Sequence, residues 1–157
     1  ETVAEKPTFR DAFRRRRCLI PATGFFEWET RGRRKLPWLF RVDGGEAFAF
    51  AGVWESWNGS GARLETCALL TTVPNACVGR IHDRMPVVLT EPASWEAWLH
   101  PETPAAALRP LLAGLDAARM SATRVSERVN QVRNNDVRLL EPIPPEGDEA
   151  PQLSLGI

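Results

Sequence analysis

Two short segments carry the side chains best suited to proton chemistry. The first runs from Arg17 through Cys18, Pro21, Gly24 and Phe25-Phe26-Glu27-Trp28; the second is Arg80-Ile81-His82-Asp83-Arg84-Met85-Pro86. Glu27 lies between two phenylalanines and a tryptophan, so its carboxyl group is expected beside aromatic surface. Such a setting disfavours the charged form and suits a carboxylate to proton transfer near neutral pH. His82 opens a turn and brings an imidazole, the side chain best able to exchange protons in that range. One acid and one imidazole, with no third ligand at metal spacing, point to acid–base chemistry rather than to a metal site.

Several function classes fall away on composition. A chain of 157 residues, 43% hydrophobic and 25% charged, is expected to fold as one globular domain with a real core. Its longest uncharged stretch, Thr66 to Gly79, is too short and polar for a membrane span, and no secretion signal is visible at the start. The three cysteines, Cys18, Cys67 and Cys77, include no Cys-x-x-Cys pair. That argues against a disulfide framework and for a reducing, cytoplasmic setting with no cofactor. Net charge is zero, yet nine basic residues face three acids between Arg10 and Lys35. A focused basic region of this kind can hold phosphates, or can simply be a solvated face.

The elements that must position Glu27 and His82 read as follows. A helix is expected over Thr8–Arg16, with Thr8 as N-cap and Phe9 and Phe13 on one face. Short strands follow at Cys18–Ile20 and Phe25–Glu29. Leu36 to Val42 alternates with period two, and Asp43-Gly44-Gly45 signals a hairpin turn. The run Ala47–Trp54 is apolar on both faces, as in a central strand, and Leu64–Val73 is the next strand. A helical turn at Pro74–Gly79 should lead into His82. Pro86–Leu89 and Met120–Val125 read as strands, and Ala93–Leu99 and Pro104–Ala113 as helices. The class is α+β: mainly an antiparallel twisted sheet closing toward a β-barrel, with short peripheral helices.

Taken in order, several segments resemble the SOS response-associated peptidase family: Ala4 to Phe9, Arg17 to Ala22, Gly24 to Trp28, Phe50 to Trp54, Arg80 to Pro86 and Val129 to Asn134. The resemblance covers the chain from Glu1 to about Pro142, so residues 1–142 are expected as the domain and 143–157 as a flexible tail. It implies a protein that binds single-stranded DNA and joins itself to abasic sites. In such proteins an N-terminal cysteine closes a thiazolidine with the sugar aldehyde, and a self-directed peptidase activity unmasks that cysteine. It places the assisting carboxylate and imidazole at Glu27 and His82 and a threonine near the lesion at Thr71; from their own positions, Trp28 is either a stacking face for a base or a core residue, and Arg84 is a candidate phosphate contact. Glu1-Thr2 resembles the end of the family's Asn-Ala-Arg-x-Glu-Thr motif, which puts the cysteine and the asparagine before residue 1. Residues 1–157 alone are therefore expected to lack crosslinking activity.

Arg14 and Arg16 are further candidates for phosphate contacts, independent of base sequence. The partner expected is single-stranded DNA carrying abasic sites, in a monomeric, nucleoid-associated protein with no membrane or metal partner. Two other readings stay open at the level of sequence. One is a non-covalent single-stranded nucleic-acid binding module; the other is a peptidase dependent on Glu27 and His82.

Overall fold

The fold is taken from a computed structural model that describes residues 1–59 and 61–143. Beyond Ile143, the expected tail lies outside the described residues. The first helix, α1, spans Pro7–Arg15. It starts at Lys6 with Pro7 in the first turn rather than at a Thr8 cap, because proline's fixed φ and missing N–H suit that position. Strands β1 (Arg17–Ala22), β2 (Phe25–Arg31), β3 (Arg34–Val42), β4 (Phe48–Asn58) and β5 (Arg63–Leu69) follow. Short strands β6 (Thr71–Thr72), β7 (Met85–Pro86) and β8 (Val88–Leu89) come next. Helices α2 (Pro92–Leu99) and α3 (Ala105–Leu108) precede the last strand, β9 (Met120–Arg124). The helix expected over Pro104–Ala113 tightens into a 3₁₀ turn at Arg109–Leu112, where Pro110 removes a backbone donor.

β4 is the centre of the fold. It pairs antiparallel with β1, β5 and β8 and is buried over Phe48–Val53 on both faces. Ala51 and Val53 face α1, α2 and α3 through Phe13, Trp98 and Leu108. Phe48 and Phe50 face the other way, toward Val42, Val88 and Phe25. A second sheet, in the order β2-β3-β9, covers that face. Phe25 joins the two layers, stacked on Phe40 at 5.1 Å and edge-on to Phe50 at 5.8 Å. Such ring pairs add to the burial of their own area.

The expected closure toward a barrel does not occur. The strands form separate four-, three- and two-stranded sheets, and β6 and β7 are too short to bridge the larger two. The Asp43-Gly44-Gly45 reading is also corrected. All three residues take positive φ, as the sequence suggests, and Gly45 N–H returns to Val42 O at 2.8 Å. Yet β3 and β4 are not paired with each other, so the turn carries the chain from one sheet to the other. A reversal signal is local; pairing is decided by which apolar faces must meet.

The hairpin that matters for the site is β2–β3. Arg31 pairs with Arg34 across a two-residue loop whose first residue, Gly32, has φ +59°. Glycine leading such a loop matches the tight turns favoured by strand twist. Upstream, Gly24 sets the entry into β2. A Cβ there would lie 2.9 Å from Phe40 O and 3.1 Å from Leu39 Cδ1. Gly24→Ala must push β2 away from β3, at a cost of about 1–3 kcal/mol. We expect a fall in Tm of several degrees by thermal unfolding; an unchanged Tm would contradict the packing described.

Candidate active site

β2 is the outer strand of its sheet, and alternation puts Phe25, Glu27 and Glu29 on one face. Phe25 is anchored between the layers, which fixes the register of the whole strand. Glu27 is thereby held opposite Trp38 of β3. Its side chain is 21% exposed, enough shelter to desolvate it while leaving an open side. Burial pushes the Glu27 carboxyl above its ordinary range; an opposing pull from His82 and a smaller push from Asp83 follow.

Glu29, two residues on, goes the other way. The Arg31 guanidinium, hydrogen-bonded at 2.6 Å, holds it below the usual carboxylate range, with help from the Trp38 indole N–H at 3.1 Å. Two carboxylates on one strand face are thus set apart by environment, one fit to hold a proton and one fixed as an anion.

His82 arrives from the loop after β6. Asn75 organises that loop: its Oδ1 accepts from the N–H groups of Cys77 and Val78, each at 3.0 Å. Its amide nitrogen donates to Leu115 O at 2.7 Å. A 3₁₀ turn at Val78–Arg80 follows, and His82 N–H closes onto Val78 O at 3.0 Å. The result sets His82 Nε2 3.9 Å from Glu27 Oε2. That gap is too wide for a direct hydrogen bond and suits a bridging water or substrate atom. On its other side, Nδ1 meets the Arg84 N–H at 3.1 Å, Arg84 O at 3.1 Å and Asp83 Oδ1 at 3.3 Å. It can therefore accept from the first or donate to the others according to the ring's tautomer.

Glu27 and His82 open onto a cavity of about 850 Å³. Trp28 also lines it, although it points to the opposite face of β2, because that strand is the sheet's edge and the cavity wraps around it. Trp28 Nε1 donates to Asn130 Oδ1 at 2.6 Å, and Asn130 Nδ2 donates to Lys35 O at 3.0 Å. These bonds hold the indole at the rim.

Arg84 makes a bidentate pair with Glu1 at 2.8 and 2.9 Å and donates to Thr71 O at 2.8 Å. The same hydrogen bonds hold the Glu1 carboxyl low and the Arg84 guanidinium high. Thr71, Arg84 and Glu1 share a smaller neighbouring pocket.

The N-terminal arginine run is not part of this constellation. Arg14 lines a separate pocket with Phe13, Arg17 and Pro104. Arg16 donates to Trp54 O at 3.2 Å and pairs with Glu55 at 2.6 Å. Arg17 donates to the carbonyls of Trp98, Phe13 and His100 and is a structural strut.

Asn75 and Asn130 also shape the site. A Pro-Asn pair ahead of a turn was the available signal for the first, since asparagine side chains cap the backbone two and three residues on. Asn130 lies in the Val129–Asn134 segment of the family resemblance, but its partners, Trp28 and Lys35, are distant in sequence. Among the described residues, no group of three or more His, Cys, Asp and Glu side chains is placed to hold a metal ion. Among the same residues, no helix is long and apolar enough to cross a membrane.

Residues 1–132 match the sequence profile of the SOS response associated peptidase (SRAP) family. The chain belongs to that family. It is 43% identical over 144 residues to the abasic site processing protein YoqW of Bacillus subtilis (strain 168), covering 90% of this chain and 64% of that protein. It is 29% identical over 146 residues to the abasic site processing protein YedK of Escherichia coli (strain K12), covering 91% and 65%. A crystal structure of a Bacteroides thetaiotaomicron protein superposes with a TM-score of 0.83 at 31% identity, over 90% of this SRAP chain and 63% of that one. The SRAP chain thus spans a little under two thirds of the length of these relatives.

Proposed function

We propose that this SRAP domain processes abasic sites in single-stranded DNA by holding the opened sugar at Glu27 and His82 for covalent capture. The observation that carries the reading is a desolvated carboxylate, Glu27, 3.9 Å from an imidazole nitrogen on the floor of an open cavity. The relatives' names supply the substrate class.

In the proposed reaction an N-terminal cysteine preceding Glu1 supplies both nucleophiles. Its amine adds to the sugar aldehyde to give a carbinolamine, which loses water to an imine. The thiol then adds to that carbon, closing a thiazolidine with net release of one water. Each step moves a proton. Glu27 takes one from the attacking amine and returns it to the departing hydroxyl, and His82 protonates the sugar oxygen during ring opening. A self-directed peptidase step that frees the cysteine would use the same pair.

Trp28, fixed at the rim, offers an indole face beside the lesion; stacking of this kind contributes roughly 1–3 kcal/mol per base. Thr71 and Arg84 border the site, with Arg84 exchanging its Glu1 partner for a phosphate. Arg14 remains a peripheral phosphate contact. Arg16, like Arg84, would contact a phosphate by exchanging its carboxylate partner, here Glu55.

Intact-mass spectrometry tests the chemistry. Incubating the full gene product with an abasic oligonucleotide should yield the sum of the two masses less one water. Free protein alone, under conditions where the oligonucleotide binds, would rule out the covalent step and leave a non-covalent binding module.

A further inference from the structure

Apart from Arg31, which pairs with Glu29, the basic region of this sequence forms two groups with different surroundings. In the first, on α1 and leading into β1, Arg16 pairs with Glu55, Arg17 donates to protein carbonyls and Arg14 lines a separate pocket. The second, Arg33, Arg34 and Lys35, sits at the β2–β3 hairpin tip and lines the same cavity as Glu27. This second group shares a space with the proposed chemistry.

We propose that the β2–β3 hairpin tip, through Arg33 and Lys35 with Arg34 beside them, grips the phosphodiester backbone of the single strand that leads into the Glu27–His82 site. The inference rests on the abasic-site reading and adds a binding surface to it. All three side chains are solvent-exposed, as a phosphate contact requires. Two carboxylates also line the cavity: Glu27 at its floor and Glu127, which pairs with Arg34 at 2.5 Å. The wall therefore keeps a positive excess.

The hairpin is also held in place. Lys35 Nζ donates to Thr30 Oγ1 at 2.7 Å, and Lys35 O accepts from the Asn130 amide that carries the Trp28 indole. Cations and an aromatic face are thus fixed to one another across a single rim. Val132, 100% exposed, adds apolar surface on the same cavity. A cationic track beside aromatic and apolar faces suits a flexible strand with charged backbone and flat bases, and not an acidic peptide, which has no bases to stack.

The test is fluorescence anisotropy with a 20-nucleotide single strand bearing a stable tetrahydrofuran abasic analogue, which cannot crosslink. Arg33→Glu with Lys35→Glu should weaken binding about tenfold or more. It should also reduce the slope of log K against log salt by roughly 1.4, about 0.7 for each lost phosphate contact on a single strand. Arg109→Glu combined with Arg63→Glu, the same charge change at two exposed sites outside the cavity, controls for net charge. Arg33→Lys should bind nearly as wild type, and unchanged thermal unfolding will show that the tip substitutions leave the fold intact. Equal losses in the hairpin and control variants, or none in either, would overturn the hairpin assignment while crosslinking by the wild type kept the abasic-site reading. Equally strong displacement of the oligonucleotide by poly-glutamate would overturn it in favour of an acidic-peptide site. Failure of the wild type to bind any single strand would remove both.

Discussion

Glu27→Gln should slow crosslinking to an abasic oligonucleotide by about 10²–10⁴-fold, the usual contribution of a positioned proton-transfer group. The substitution keeps the shape of the side chain and its place opposite Trp38. Oligonucleotide affinity should therefore stay within about twofold, separating chemistry from binding. The same variant has a signature in stability. Burial raises the folded-state pKa of Glu27, so the native state holds this proton more tightly than the unfolded chain does. Stability then falls as pH rises from the unfolded carboxyl value through the raised one, and the deficit is complete above it. Glu27→Gln should melt higher than wild type at pH 8, with a difference that shrinks toward pH 4. Melting curves across that range check the sign. A variant less stable than wild type at pH 8 would mean that Glu27 is a structural ion-pair partner and not a group held ready for proton transfer.

The largest effect on the fold is expected at Trp98. Its side chain is fully buried, donates Nε1–H to Cys18 O at 2.9 Å and meets Phe13 edge-on at 5.8 Å. Arg17 lies over the ring at 5.9 Å while donating to the backbone carbonyl of the same residue. One indole thus joins α1, α2 and β1. Trp98→Ala should cost about 3–5 kcal/mol from lost burial and the cavity left behind. That is a large share of the stability of a domain this size, and it lowers Tm by roughly 6–20 °C. Trp98→Phe should recover most of the packing but not the hydrogen bond, and fall between the two. Thermal unfolding of both variants reads the outcome. A drop of under 2 °C for Trp98→Ala would contradict the central place given to this residue.

Much of the architecture was legible because it follows from alternation. The two-sided apolar run around Phe50 could only be a strand buried between layers, and β4 is that strand. The aromatic setting of Glu27 was visible only in part: alternation turns Phe26 and Trp28 to the other face, and the ring opposite Glu27 is Trp38 of β3, which local sequence does not reveal. What was not legible depended on long-range pairing. Asp43-Gly44-Gly45 specifies a reversal, but the choice between pairing β4 with β3 or with β1 lies in distant apolar faces. Barrel closure was expected from a count of strands; the two-residue length of β6 and β7 rules it out. The arginines show the same limit. A basic run looks alike whether its side chains reach solvent or, as with Arg17, backbone carbonyls 81 and 83 residues away.

The central claim is that Glu27 and His82 serve covalent capture of a sugar aldehyde. A denaturing gel tests it most directly, using the full gene product and a single-stranded oligonucleotide with one abasic site. A parallel lane carries the same oligonucleotide after borohydride reduction of its aldehyde. Covalent capture should give a heat-stable shifted band with the aldehyde, no band with the reduced sugar, and a strongly delayed band for Glu27→Gln. No band with the intact aldehyde, or an equal band with the reduced sugar, would contradict it.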